Sequence, residues 1–152
     1  MTTAPPPSGS LQLVVGYDGS PPADRALDAA ARLLQGRTGN ITVTYVGHIS
    51  STAMLSADAI AEIENDFDEV EKELRASAGK RLRGQVDDWN FERRQGQIAH
   101  ELVAAANEIR SAHPDDTIAI VVGSSSSAVH RMVGSVPVNL ARNSPFYLVI
   151  VP

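Results

Sequence analysis

Short apolar runs alternate along this chain with longer stretches in which apolar residues recur every three or four positions. "LQLVVGY", residues 11–17, is a compact apolar run closed by "DGSPP", and such a run predicts a strand. In the stretch that follows, Ala26, Leu27, Ala30, Leu33 and Leu34 fall on one helical face. Ser20 can accept an orphan amide proton at the helix start, and Pro21 suits the first position because no donor is needed there. Gly36 and Gly39 stop this helix.

The same change of period repeats. "ITVTYVG", residues 41–47, alternates with Ile41, Val43 and Tyr45 on one face and is rich in β-branched residues, which predicts a second strand. Ile60, Ile63, Phe67, Val70, Leu74 and Ala78 trace a long helical stripe opposite a face of Glu, Asp, Lys and Arg, a solvated charge run. "VDDWNFERR" mixes Trp89 and Phe91 with Asn90, Glu92 and Arg94 and reads as a half-exposed edge strand. Ile98, Leu102, Ala105, Ile109 and Ala112 mark a third helix ended by Pro114. "TIAIVVG" is apolar on both faces, the pattern of a central parallel strand. After a serine-rich loop, "SVPVNLARN" predicts a short helix with Pro137 in its first turn, and "FYLVIV" closes the chain as a strand.

Strands alternating with helices imply parallel pairing through right-handed crossovers. The expected fold class is therefore α/β: a single doubly wound five-stranded parallel sheet, strand order 3-2-1-4-5, with helices on both faces. Residues 1–10, "MTTAPPPSGS", are expected to be a disordered head, and residues 11–152 a single domain. In this topology the two most apolar strands, 11–17 and 117–123, lie side by side. Ligands of such folds sit at the carboxyl ends of the strands, where the chain order reverses, so the loops after these two strands flank the expected crevice.

Composition narrows the partners. The chain of 152 residues has a formal net charge of -5 and only two lysines, Lys72 and Lys80, so it offers no basic footprint for nucleic acid. It has no cysteine, which removes disulfides, thiolate metal sites and cysteine nucleophiles. The first residues lack the basic start and apolar core of a secretory signal, and no apolar run approaches the length of a membrane span. The expectation is a cytoplasmic protein without a membrane partner.

The candidate chemistry lies in the two crevice loops. Asp18 places a carboxylate just beyond a central strand, flanked by Gly16, Tyr17, Gly19 and Ser20; a turn or capping role is its structural alternative. In "VVGSSSSAVHRMVGS", backbone amides after Gly123 and at the helix start near Gly134 are expected to face a phosphate, which the helix dipole also favours. Ser124, Ser125, Ser126 and Ser127 add hydroxyl donors, His130 and Arg131 can neutralise charge, Ser135 can donate to phosphate or cap its helix, and Val136 follows. Gly123 and Gly134 are expected to let the main chain approach the ligand. Serines in loops more often bond only to local backbone, and a His-Arg pair on a polar loop is more often solvated.

Other chemistries fail. No Gly-Lys-Ser or Gly-Lys-Thr run, no G-x-G-x-x-G and no G-x-S-x-G is present. Asp115 and Asp116 precede the fourth strand, at the wrong end for a phospho-acceptor site. His48, His100, His113 and His130 show no ligand spacing. With no base and nucleophile identified, no catalytic or metal-ligating residues are assigned and the protein is not expected to be an enzyme.

"LVVGYDGSPPADRALDAAARLL" together with "VVGSSSSAVHRMVGSVPVNLARNSPFYLVIVP" resembles the universal stress protein family. Nucleotide-binding members carry G-x2-G-x9-G-[ST] around the phosphates, an acid after the first strand and an apolar residue after the second. Gly123, Gly134 and Ser135 match, and Asp18 and Val46 stand at the corresponding strand ends. The second glycine position is Ser126, and seven residues rather than nine separate it from Gly134, so the loop is tighter. The resemblance implies an adenine nucleotide, ATP first and AMP or another next, with Mg as the cation accompanying a triphosphate, and a role in stress-response regulation. Slow ATP hydrolysis is a weaker reading. A dimeric interaction module without nucleotide is the alternative.

"FYLVIV" is apolar on both faces and carries no charge or internal proline, although a terminal strand here lies at a sheet edge. Pairing of two copies about a two-fold axis would cover it, and the resemblance likewise implies a homodimer.

Overall fold

The computed structural model describes residues 9–47, 54–124 and 136–152. Five strands, β1 (Leu11–Gly16), β2 (Gly39–Gly47), β3 (Trp89–Gln95), β4 (Thr117–Gly123) and β5 (Tyr147–Val151), alternate with four helices, α1 (Pro21–Leu34), α2 (Ala57–Leu82), α3 (Ile98–Ala112) and α4 (Val136–Asn143). The strands form one sheet in the order β3-β2-β1-β4-β5, and every pairing is parallel. Gly39, read as a helix stop, opens β2 instead.

Successive residues of the central strands enter opposite layers, as a twofold side-chain alternation requires. Leu13 and Val15 of β1 pack with Ala26, Leu27 and Ala30 of α1 and with Leu74, Ala78 and Leu82 of α2. Val14 turns the other way and joins Ile118, Ile120 and Val122 of β4 under Leu102 and Ala106 of α3 and Leu140 of α4. Burial of β1 and β4 on both faces is what places their carboxyl ends at the middle of the molecule.

Local chemistry sets the helix ends. The Ser20 hydroxyl accepts the Ala23 N–H at 3.4 Å, with prolines at the first two helical positions. Ser56 accepts the Ala59 N–H in the same way at the start of α2. Pro137 is the second residue of α4, where its missing N–H disrupts no helical hydrogen bond.

Two expectations about apolar stripes are adjusted. Leu33 is 40% exposed at the margin of α1. In α2, of 26 residues, only Leu74, Ala78 and Leu82 are buried; Ile60, Ile63 and Phe67 are half-buried and Val70 is exposed. At 1.5 Å per residue the helix is about 39 Å long, well beyond the strands it packs on, so its first half has less sheet beneath it.

Within the expected 1–10 head, Gly9 and Ser10 are described. The Ser10 N–H donates to Asp116 Oδ1 at 2.8 Å, and the Thr117 N–H donates to the Ser10 carbonyl at 2.9 Å. Asp116 thus serves the amino-terminal end of β4, with Gln12 Nε2 donating to its Oδ2 at 2.8 Å. These bonds hold its carboxyl below the usual carboxylate range, the Ser10 amide contributing most.

Candidate functional site

β1 ends at Gly16 next to Val122 of β4, and a cavity of about 140 Å³ opens above this junction. Its base is formed by Gly16, Tyr17, Thr44 and Gly123, and one wall by Val46, Ile98, Leu102 and Val122. Asp18, Ser20, Pro22 and Ala23 line it from the β1–α1 turn, and Val136 from the start of α4. Thr44 and Val46 share a face of β2 because they stand two residues apart. Gly16 lacks the β-carbon that would come within 3.2 Å of Leu102 Cδ1, which lets α3 settle against the strand end.

The turn after β1 is fixed by its own polar groups. Asp18 Oδ1 accepts the Ser20 N–H at 3.0 Å, the local bond expected of Asp in a tight turn. Gly19 has φ of +78°, a conformation that glycine takes without penalty. It shapes the turn but is not among the cavity-lining residues. Tyr17 lines the cavity with its hydroxyl engaged elsewhere: it donates to Asp24 Oδ1 at 2.9 Å and lies 3.0 Å from Ser77 Oγ. Burial is the main reason its phenol is pushed above the usual range.

The structure gives two residues after β4 structural roles of their own. Gly123 was expected to be bare so that phosphate could approach, but a β-carbon there would lie 2.1 Å from the Pro22 carbonyl oxygen. The glycine is demanded by the crossing of β4 and α1. The Ser124 N–H, expected to face phosphate, donates to the Val151 carbonyl at 2.8 Å and extends the β4–β5 pairing. Ser125, Ser126, Ser127, His130, Arg131, Gly134 and Ser135 lie outside the described residues.

The fold therefore brings Gly16, Tyr17, Asp18, Ser20, Val46, Gly123 and Val136 to one cavity. Sequence reading missed Pro22, Ala23, Thr44, Ile98, Leu102 and Val122 as lining residues. Ile98 and Leu102 were legible only as a helical stripe, and an i, i+4 pair has the same spacing whether it faces core or ligand.

Arg94 secures the α3 wall. Its guanidinium reaches Glu101 Oε2 at 3.0 Å, Glu108 Oε1 at 2.8 Å and Glu92 Oε2 at 3.6 Å. The Glu108 hydrogen bond is the largest of the effects that raise the Arg94 pKa further, against the opposing effect of desolvation. The same bond holds the Glu108 carboxyl below its usual range. Glu92 also accepts the Thr44 hydroxyl at 3.2 Å, so a polar chain runs from the cavity base through β3 into α3.

The profile of the Universal stress protein family matches residues 11–152. Among solved structures, a universal stress protein in complex with cAMP is 25% identical, with a TM-score of 0.67 over 95% of this chain and 99% of that chain. Universal stress protein UspA from Lactobacillus plantarum is 18% identical, with a TM-score of 0.75 over 95% of this chain and 99% of its own. A universal stress protein family protein from Arabidopsis thaliana with AMP bound is 11% identical, with a TM-score of 0.63 over 93% and 90%. The latter two are similar in fold alone. A search of curated proteins found no match. The family match over all five strands, with the cavity at the junction of β1 and β4, means that the chain belongs to the universal stress protein family.

Proposed function

We propose that this protein binds an adenine nucleotide in the cavity between β1 and β4 and acts as a cytoplasmic stress-response regulator. The observation that carries this reading is the combination, in one cavity, of an apolar wall of Val46, Ile98 and Leu102 with the polar turn of Asp18 and Ser20. The wall suits a base and the turn a ribose. The relative that is 25% identical, in complex with cAMP, supports the ligand class and adds a cyclic monophosphate to the ATP and AMP implied by the sequence. For a triphosphate, Asp18 is the lining carboxylate available to an accompanying Mg, since its Oδ2 has no protein partner among the described residues.

A binding role rather than a catalytic one is favoured by how the lining titratable groups are used. Asp18 braces its own turn, and the Tyr17 hydroxyl points to Asp24 and Ser77.

The second reading, an interaction module without nucleotide, draws on the structural employment of Gly123 against Pro22 and of the Ser124 amide with Val151. In either reading the partner is a second copy joined through β5. This strand is the edge of the sheet, with Tyr147 72% and Ile150 46% exposed.

Thermal melts of ligand-free protein with ATP, AMP and cAMP separate the readings. A ligand at a hundredfold excess over its dissociation constant stabilises by about 2.7 kcal/mol, a rise of roughly 5–10 °C for a domain of this size. No rise with any of the three at millimolar concentration would overturn nucleotide binding and leave the interaction module.

A further inference from the structure

The opposite end of the sheet holds a larger and chemically different concavity, of about 580 Å³, lined among others by Gln12, Thr38, Asn40, Thr42, Asn90 and His113. We propose that it is a second binding site, for a small neutral polyhydroxylated molecule of the sugar or inositol class.

Its floor is a row of polar side chains across three paired strands. Gln12 stands in register with Asn40, and Thr42 with Asn90, so all four share one face of the sheet. Gln12 is 8% and Thr42 6% exposed, and β2 is an interior strand. Two residues further along, this face carries Val14 of β1, which belongs to the core under α3, while β2 and β3 continue with Thr44 and Glu92. A buried polar group is tolerated only with its hydrogen bonds made, and here those bonds orient the floor.

The Thr42 hydroxyl lies 3.4 Å from Asn40 Oδ1 and 3.1 Å from Asn90 Oδ1. The two carboxamides share this hydroxyl, whose single proton is donated to one of their oxygens at a time, the shorter contact being that to Asn90. Their Nδ2 groups, two donors each, have no acceptor among the described residues. Gln12 Nε2 is committed to Asp116, which leaves the Gln12 Oε1 as an acceptor beside those donors. The site thus presents carboxamide donors and an acceptor in close alternation.

Charge narrows the ligand. Asp88 contributes to the lining, Asp116 stands behind Gln12, and among the described residues no Lys or Arg lines the concavity. His113 Nδ1 is 3.8 Å from Asp116 Oδ2, so the local cation, when protonated, already faces a carboxylate. An anion would meet carboxylates without a compensating guanidinium or ammonium. An apolar ligand would find one aliphatic side chain, Ile109. A hydroxyl can accept from an Asn Nδ2 while donating to the Gln12 oxygen, and adjacent hydroxyls on one carbon ring repeat that pattern.

The experiment is a titration of the full isotopically labelled chain with D-glucose and, separately, myo-inositol, followed by two-dimensional amide NMR. Saturable movement of the Asn40 and Asn90 side-chain NH₂ signals is expected, with Val46 and Leu102 unmoved. Asn90→Leu, on the exposed edge strand, should keep the unmodified circular dichroism spectrum, melt a few degrees lower because the Thr42 hydroxyl loses its shorter partner, and bind the responding polyol about tenfold more weakly. The absence of saturable shifts with both polyols would overturn the proposal, as would shifts confined to the β1–β4 cavity. Movement of the same NH₂ signals by sodium phosphate at equal concentration would overturn the neutral-ligand assignment. Because adenine nucleotides bind elsewhere in the proposed function, the melts with ATP, AMP and cAMP succeed or fail independently of this result.

Discussion

Gly123 and Pro22 are in such close approach that a β-carbon on the first would stand 2.1 Å from the carbonyl oxygen of the second and 2.8 Å from its Cβ. The obstacle is mostly backbone at the start of α1, which cannot swing aside as a flexible side chain would. Gly123→Ala is expected to destabilise the fold by about 1–3 kcal/mol, and Gly123→Val by more. Thermal melts followed by circular dichroism check this. A Gly123→Ala protein that melts with the unmodified chain would contradict the packing role and return the glycine to the ligand.

Ile98 offers a cleaner probe of the cavity, because it is 40% exposed and still lines the apolar wall. Ile98→Lys should leave the melting temperature of the free protein within a few degrees, as surface changes do. Loss of its apolar contact with the base should weaken adenine-nucleotide binding about tenfold or more. Titration calorimetry on the two proteins gives the comparison, and equal affinities would remove the base from this wall.

Replacing Arg94 by Leu leaves Glu92, Glu101 and Glu108 facing one another without the shared cation. The arginine side chain is 16% exposed, so the expected loss lies between surface and buried pairs, about 1–3 kcal/mol. The pH dependence carries a sign. Arg94 lowers the folded-state pKa of Glu108, so this carboxylate's contribution is fully present above its unfolded value, near pH ~4.3, and is lost as pH falls through the lower folded value. Arg94→Leu should therefore lose stability at neutral pH and show a shallower decline on acidification. A parallel offset at every pH would disprove the linkage.

The edge strand predicts the assembly. Ile150 is 46% exposed, whereas Leu148, on the same strand face, packs against the core under α3 and α4. A charge at Leu148 would damage the subunit itself, so Ile150→Lys is the discriminating change. Light scattering should give about twice the 16.2 kDa chain mass for the unmodified protein and one chain mass for Ile150→Lys, with circular dichroism unchanged. A monomer before any substitution would refute pairing through β5.

The alternation of periods along the chain determined the element order, the parallel sheet and the sequence 3-2-1-4-5, because burial on one face or two leaves a direct mark on which positions are apolar. Asp18 and Ser20 were likewise legible, since they stand in the turn after a central strand whose place follows from that order, and Val46 was legible through the family resemblance. Packing between distant segments left no such mark. That Gly123 is bare because of Pro22, that the Ser124 amide serves Val151, and that Ile98 and the core residue Leu102 also line a cavity all depend on how α1, α3 and β5 meet the ends of β1 and β4. Periodicity reports the face a residue occupies; only tertiary contact determines whether that face meets core, backbone or open space.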